Sequence, residues 1–155
     1  MDREQLLTDI DNRKALFGTF FAFHISLQTA GDAFYEEITC KQFFLLICLS
    51  LFQNQPPTLN ELSEVMGSTH QNVKQIVNKL EENGFLTTYK DQHDKRKTRV
   101  VQTEKMIHLG KKYETQENMF MDKFYAGISE EQIADTYEVM KQLERNLKII
   151  REESK

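Results

Sequence analysis

Between Thr58 and Thr103 the chain reads TLNELSEVMGSTHQNVKQIVNKLEENGFLTTYKDQHDKRKTRVVQT. Within that span the apolar pattern passes from helical to strand-like, in the order helix, turn, helix, strand, charged loop, strand. Few packings accommodate that order. Thr58-x-x-Glu61 predicts a capping box, in which two side chains satisfy otherwise unpaired backbone donors. Leu59, Leu62, Val65 and Met66 follow at helical spacing. Gly67, without a Cβ, supplies the left-handed exit. A second helix then starts with Ser68 or Thr69 as N-cap, buries Val73, Ile76, Val77 and Leu80, and ends at Asn83-Gly84.

With that stripe turned inward, Gln71, Lys74, Gln75 and Asn78 face outward, with Asn72 and Lys79 nearer the edge. Gln and Asn amides can pair bidentately with adenine in a major groove, and Lys can meet guanine or phosphate. The helix N-terminus at Thr69 and His70 can hold a phosphate through its free N–H groups. Taken alone, such a helix reads more readily as an ordinary amphipathic one with a solvated face.

The segment after Gly84 distinguishes the two readings. Phe85 to Tyr89 and Thr98 to Thr103 are strand candidates, separated by the polar tip Lys90-Asp91-Gln92-His93-Asp94-Lys95-Arg96-Lys97. A charged hairpin directly after a polar-faced helix is the layout of a winged helix. From Tyr89 to Arg99 there are five cations (Lys90, Lys95, Arg96, Lys97, Arg99) against two anions. That excess suits phosphates and a narrow minor groove, whose concentrated negative potential attracts Arg. The candidate DNA contacts are therefore Thr69, His70, Gln71, Asn72, Lys74, Gln75, Asn78 and Lys79 on the helix, and Lys95, Arg96, Lys97 and Arg99 on the wing.

Leu59 to Met66, Gly67, Thr69 to Leu80, Glu81-Glu82-Asn83-Gly84-Phe85-Leu86, Asp91-x-x-Asp94-x-Arg96 and Thr103-Glu104-Lys105 together resemble the MarR family of bacterial regulators. The resemblance extends upstream to Ile38-Thr39-x-x-Gln42-Phe43-x-x-Leu46 and downstream to Ser129-Glu130-Glu131-Gln132. It implies that Thr69 to Lys79 form a recognition helix and that Arg96 is the wing-tip arginine entering the minor groove. It also implies that Asp94 is the wing aspartate, holding the loop and its arginine in place.

At 155 residues, with two Pro and six Gly, the chain is expected to be one helix-rich domain, residues 1–155. The fold class is mainly α with a small β-hairpin wing. A formal net charge of −4 opposes a nucleic-acid partner only if charge is spread evenly. From His70 to Val100 seven Lys or Arg stand against four Asp or Glu, so this segment is +3 and the remainder −7. Fields from separated charges are screened beyond about 8 to 10 Å at ordinary salt, so the local sign governs.

Met1 to Ile10 is polar and reads as no export signal. The apolar run Phe43 to Phe52 is far shorter than the ~20 residues of a membrane crossing. A cytoplasmic protein with no membrane partner and two reduced thiols is expected.

The reading head spans about 39–103. Outside it, helices are expected from about Thr8 to about Ala30, from Lys41 to about Gln53, from Glu104 to about Ala126, and from Glu130 to about Arg151. The last of these opens on a Ser129/Gln132 capping box and turns Ile133, Tyr137, Met140, Leu143, Leu147 and Ile150 to one side. These helices carry more apolar surface than one hairpin needs. The resemblance implies that the first and last, about 8–30 and 104–152, interlock with a second copy as a homodimer. Such a dimer would place two recognition helices ~34 Å apart on a pseudo-palindrome. The alternative is a monomer with a large helical core.

Cys40 lies in the first turn of a helix, where the dipole favours a thiolate. Against a redox role, family members that sense oxidants carry the Cys in the first helix, and Phe17 to Leu27 here has none. Cys48 reads as core. His24, His70, His93 and His108 have no metal-ligand spacing, so no metal or cofactor is expected. His24 reads as a core or interface histidine or as part of a ligand pocket. Eleven Phe and six Met admit a pocket for a lipophilic small-molecule effector, with no ligand residue identified. No phosphate loop, nucleophile elbow or Cys/His pair suggests an enzyme. The expected function is a sequence-specific DNA-binding regulator, a repressor in the first instance. The alternative is a winged-helix module that binds a protein through the same surface.

Overall fold

The computed structural model describes residues 10–154 and contains, among them, six helices and one two-stranded antiparallel sheet. The first helix, α1, runs Asn12–Asp32. Asp11 caps it, accepting hydrogen bonds from the backbone N–H groups of Arg13 (3.1 Å) and Lys14 (3.3 Å). It extends two residues beyond the expected end, and the expected start at Thr8 lies outside the described residues. No residue of α1 is buried.

Helix α2, Cys40–Ser50, begins at a capping box between Thr39 and Gln42. It ends about three residues earlier than the apolar run suggests. Leu51 N–H donates to the Cys48 carbonyl and Phe52 N–H to that of Leu49, so the last turn tightens to i→i−3 bonds before the chain enters Pro56-Pro57.

Helix α3, Leu59–Val65, has the expected box: Thr58 N–H donates to Glu61 Oε2 at 2.6 Å, and Glu61 N–H donates to Thr58 Oγ1 at 3.2 Å. Gly67 leaves it at φ +60, the left-handed conformation the sequence calls for. Of the two N-cap candidates for helix α4, His70–Glu82, Thr69 is the one used. Its Oγ1 accepts from Asn72 N–H at 3.2 Å. Val73, Ile76, Val77 and Leu80 are all buried, as the spacing predicts. Gly84, at φ +75, turns the chain into the hairpin.

Strands β1, Leu86–Lys90, and β2, Thr98–Gln102, pair antiparallel from Leu86↔Gln102 to Lys90↔Thr98. Thr103 Oγ1 donates to the Gly84 carbonyl at 2.7 Å, and Lys105 donates to the Asn83 carbonyl at 2.7 Å while lying over the Phe85 ring. The hairpin base is thereby closed onto the end of α4. Leu45, Leu62, Leu80, Leu86, Val73, Val77 and Val100 are fully buried. Truncating any one of the leucines to Ala removes packing worth about 2–5 kcal/mol.

Helix α5, Glu104–Phe124, and helix α6, Glu130–Glu153, follow. They are separated at Gly127, and α6 opens on the Ser129/Gln132 box. The chain divides into two compact units, Met1–His108 and Leu109–Lys155. Leu109 and Tyr113 are the buried residues of α5, and α6 has none. Along α6, Tyr137, Met140, Leu147 and Ile150 are exposed within the single chain. Among the described residues no helix is long and apolar enough to cross a membrane.

Candidate nucleic-acid interface

A cleft of about 640 Å³ opens between α4, the start of α3 and the wing. His70, Lys74 and Asn78 line it from α4, Asp94, Arg96 and Lys97 from the wing tip, and Lys90 and Thr98 from the strands. Four cations thus face one carboxylate in a concave site, where low-dielectric walls concentrate the field. The floor carries Leu59 and Val77, both buried.

The amphipathic pattern of α4 decides which predicted residues reach this face. Gln71, Asn72, Lys74, Gln75, Asn78 and Lys79 are all exposed, on the side away from the buried stripe. Of these, Lys74 and Asn78 line the cleft with His70, whereas Gln71, Gln75, Asn72 and Lys79 stand on the helix outside it. Asn72 is partly engaged, its Nδ2 donating to Ser68 Oγ at 2.8 Å.

Two aspartates organise the wing tip. Asp91 Oδ1 accepts from His93 N–H at 2.8 Å and Asp94 N–H at 2.9 Å. Asp94 Oδ1 accepts from Arg96 N–H at 3.1 Å and from Arg96 Nε at 3.1 Å, while Nη2 reaches Oδ2 at 3.4 Å. The backbone closes the loop, with Asp91 N–H on the Lys97 carbonyl (3.0 Å) and Lys97 N–H on the Asp94 carbonyl (2.9 Å). Two nested Asx turns result, the local geometry that short carboxylates favour. Asp94 thus bonds, from within the loop, a guanidinium whose side chain is 93% exposed. Arg96 in turn holds the Asp94 carboxyl below its ordinary range, the Arg96 N–H adding to the effect.

Arg99, expected among the wing cations that meet DNA, is turned elsewhere. Its Nε donates to Asp91 Oδ2 and its Nη1 to the Pro56 carbonyl, leaving the side chain 14% exposed. The reason is register: Arg99 lies opposite Tyr89 in the hairpin, and it also forms a β-bridge with Thr58. Its alkyl and guanidinium groups are therefore drawn against the segment that precedes α3. Lys95, Arg96 and Lys97 remain exposed.

The role of Asp91 was not read from the sequence, where it counted as an anion and as the first position of the Asp91-x-x-Asp94-x-Arg96 motif. The N–H groups of Asp94 and His93, with Arg99, hold its carboxyl far below the ordinary range. The available signal was an Asp two and three residues ahead of polar positions in a hairpin tip, the Asx-turn pattern. Thr88 and Asn60 also line the cleft and were not singled out, and neither was Lys90 beyond its count among the wing cations.

Cys40 departs from the expectation that its helix N-terminus favours the thiolate. Burial, then the nearby Asp32 carboxylate, push its thiol up. Asp32 Oδ1 accepts the Cys40 N–H at 2.7 Å, so a negative charge already occupies the helix start. His24 is exposed on α1, and Cys48 is buried. Among the described residues no three His, Cys, Asp or Glu side chains converge as a metal site.

Residues 38–98 match the model of the MarR family. No curated protein matches the chain in sequence. The fold is similar to that of a MarR protein from Peptoclostridium difficile, with TM-score 0.75, 19% identity, and 96% of this chain and 95% of that one covered. It is similar to MepR of S. aureus, solved as a DNA complex, with TM-score 0.73, 19% identity, and 83% and 95% of the two chains covered. It is also similar to the PcaV transcriptional regulator of Streptomyces coelicolor, solved with its natural ligand, with TM-score 0.71, 17% identity, and 94% and 98% covered.

Proposed function

The stretch from residue 38 to residue 98 is a MarR family domain, and from that premise we propose that the protein is a transcription regulator that binds double-stranded DNA as a homodimer. One observation carries the reading: His70, Lys74 and Asn78 of α4 line a single cleft with Lys90, Arg96 and Lys97 of the wing. Helix α4 enters the major groove, where Gln71, Gln75 and Asn78 offer amides to base edges and Lys74 a charge to guanine or phosphate. The wing reaches the neighbouring minor groove through Arg96, with Lys95 and Lys97 on phosphates. Thr69 and His70 place the α4 N-terminus against the backbone.

The dimer rests on exposed apolar faces. Phe17, Phe21 and Ile25 on α1, and Tyr137, Leu147 and Ile150 on α6, are open to solvent in the single chain. Large apolar side chains exposed along a helix in this way fit a contact between subunits. The structural similarity to PcaV, a transcriptional regulator solved with its natural ligand, supports control by a small molecule, and repression relieved by that ligand is the form we propose. Release would work by population shift, with a ligand that prefers the spacing of the reading heads that does not fit DNA lowering affinity by its differential binding.

Fluorescence anisotropy with duplexes from the DNA upstream of the gene, at several salt concentrations, tests this reading. Sequence preference and a negative salt slope are expected, with Arg96→Ala weakening binding and reducing the slope by about one. Binding without preference or slope would overturn it and leave the cleft as a protein-binding surface.

A further inference from the structure

Three separate segments meet at Arg99. The wing tip contributes Asp91, whose Oδ2 accepts from Arg99 Nε. The loop after α2 contributes the Pro56 carbonyl, which accepts from Nη1. The start of α3 contributes Thr58, bridged to the Arg99 backbone, and the carboxylate of Glu61, which feels the Arg99 charge. Val100 N–H donates to the Pro57 carbonyl at 2.9 Å alongside. The same Asp91 carboxylate holds the tip from within, through His93 and Asp94 N–H.

One carboxylate therefore joins the order of the tip to the body of the reading head. We propose that Asp91 and Arg99 are positioning residues for the grip on DNA: their tie fixes the wing tip against the loop before α3, and so sets where Arg96 and Lys97 stand relative to α4. This rests on the DNA reading above. It assigns both residues a role without contact to the duplex, although Arg99 carries the charge of a phosphate ligand and Asp91 the charge DNA repels.

Geometry favours a positioning role over a direct one. The Arg99 side chain is 14% exposed and the Asp91 side chain 9%, against 93% for Arg96. Neither Arg99 nor Asp91 lines the cleft, while Arg96, Lys97 and Asp94 do. A planar guanidinium can bond a carboxylate through one nitrogen and a carbonyl through another; an ammonium on a flexible stem cannot hold both in fixed geometry.

The sign of one substitution separates positioning from simple electrostatics. Asp91→Ala and Asp91→Asn each remove a negative charge close to the wing, so electrostatics alone predict tighter binding. Positioning predicts the opposite, a loss of specific affinity of roughly tenfold for Asp91→Ala, smaller for Asp91→Asn, which keeps one acceptor. Arg99→Lys keeps the charge and should recover only part of what Arg99→Ala loses. In the free protein, amide hydrogen exchange at His93 and Asp94 should accelerate in Asp91→Ala and stay unchanged in Arg96→Ala, with thermal melts showing each variant folded.

If Asp91→Ala binds as tightly as the parent or more tightly, the proposal fails, whether or not the two amides lose protection. Full rescue by Arg99→Lys also overturns it, since charge alone would then suffice. If the parent protein binds no duplex, the DNA reading falls first, and the amide arm still decides whether the tie orders the wing.

Discussion

The carboxylate of Glu81, in the last turn of α4, accepts both the backbone N–H of Thr88 (2.8 Å) and its hydroxyl (2.9 Å) through a single oxygen. A side chain of α4 thus bonds the edge of β1, while the other edge is held by Val100 N–H on the Pro57 carbonyl. The hairpin is fastened on both sides. Glu81→Ala leaves the Thr88 donors without that acceptor and should cost about 1–3 kcal/mol in chemical denaturation, the range for half-buried groups that lose a charged partner. Glu81→Gln retains a carbonyl oxygen and should cost less than Glu81→Ala. Equal losses in the two variants would show that the acceptor at this position does not hold the strand.

Two glycines of α1 should respond oppositely to the same change. A Cβ on Gly31 would lie 2.5 Å from Cys40 Sγ and 2.8 Å from Cys40 Cβ, whereas Gly18 has nothing within 4 Å. Helix propensity favours Ala over Gly by about 1 kcal/mol, but forced overpacking costs about 1–3 kcal/mol. Gly18→Ala should raise the melting temperature and Gly31→Ala lower it. Adding Cys40→Ala to Gly31→Ala should restore part of the loss, since it removes the nearer atom, and a melt unchanged by that second substitution would refute the contact.

Cys40 should behave as a protonated thiol at neutral pH. Its value is raised by burial and by Asp32, so the reactive thiolate is scarce until the medium is more alkaline than an ordinary cysteine requires. Rates of alkylation by iodoacetamide, followed against pH by mass spectrometry, should still be rising above about pH 9. An inflection near neutrality would reverse this expectation and revive a sensing role for Cys40.

The wing should be insensitive to mild acid. Asp91 and Asp94 both titrate below their ordinary values in the folded protein, each held by N–H donors and an arginine. A carboxylate with a lowered folded value stabilises fully above its unfolded value, and the contribution disappears only as pH falls through the folded one. The side-chain carboxyl carbon shift of Asp91 should therefore stay constant from neutral pH down to about pH 4, and that of Asp94 should turn at a lower pH than an ordinary aspartate's. A midpoint for Asp91 at or above that point would mean that the tie to Arg99 is not formed in solution.

Self-association should depend on the apolar faces of the outer helices. Ile25 is 65% exposed and Leu147 57% exposed in the single chain. Replacing either by Glu should leave melting of the reading head intact and shift the light-scattering mass from two chains towards one. A parent protein that weighs as one chain at micromolar concentration would sink the dimer directly.

The reading head was legible because its signals are local. Thr58 with Glu61, Gly67, the stripe from Val73 to Leu80 and Gly84 each act within a few residues, and each stands where the spacing puts it. The end of α2 was not, since Leu51 and Phe52 continue the apolar run and only their tightened hydrogen bonds stop the helix. The bonds of Arg99 were not legible for a related reason. Its partners, Asp91 and the Pro56 carbonyl, lie 8 and 43 residues away in sequence, and charge composition carries no information about which cations a fold will use internally. On α1, apolar surface beyond what one hairpin needs signalled a need for cover without naming its source.

The wing tip is closed by the two carboxylates and by backbone, and Gln92, His93, Lys95 and Lys97 project from it exposed. Evolution can therefore rewrite those positions at little cost to folding while the aspartates stay. On the DNA reading proposed above, a library randomised at those four sites would vary the strength of the wing's grip on phosphate in proteins that still fold.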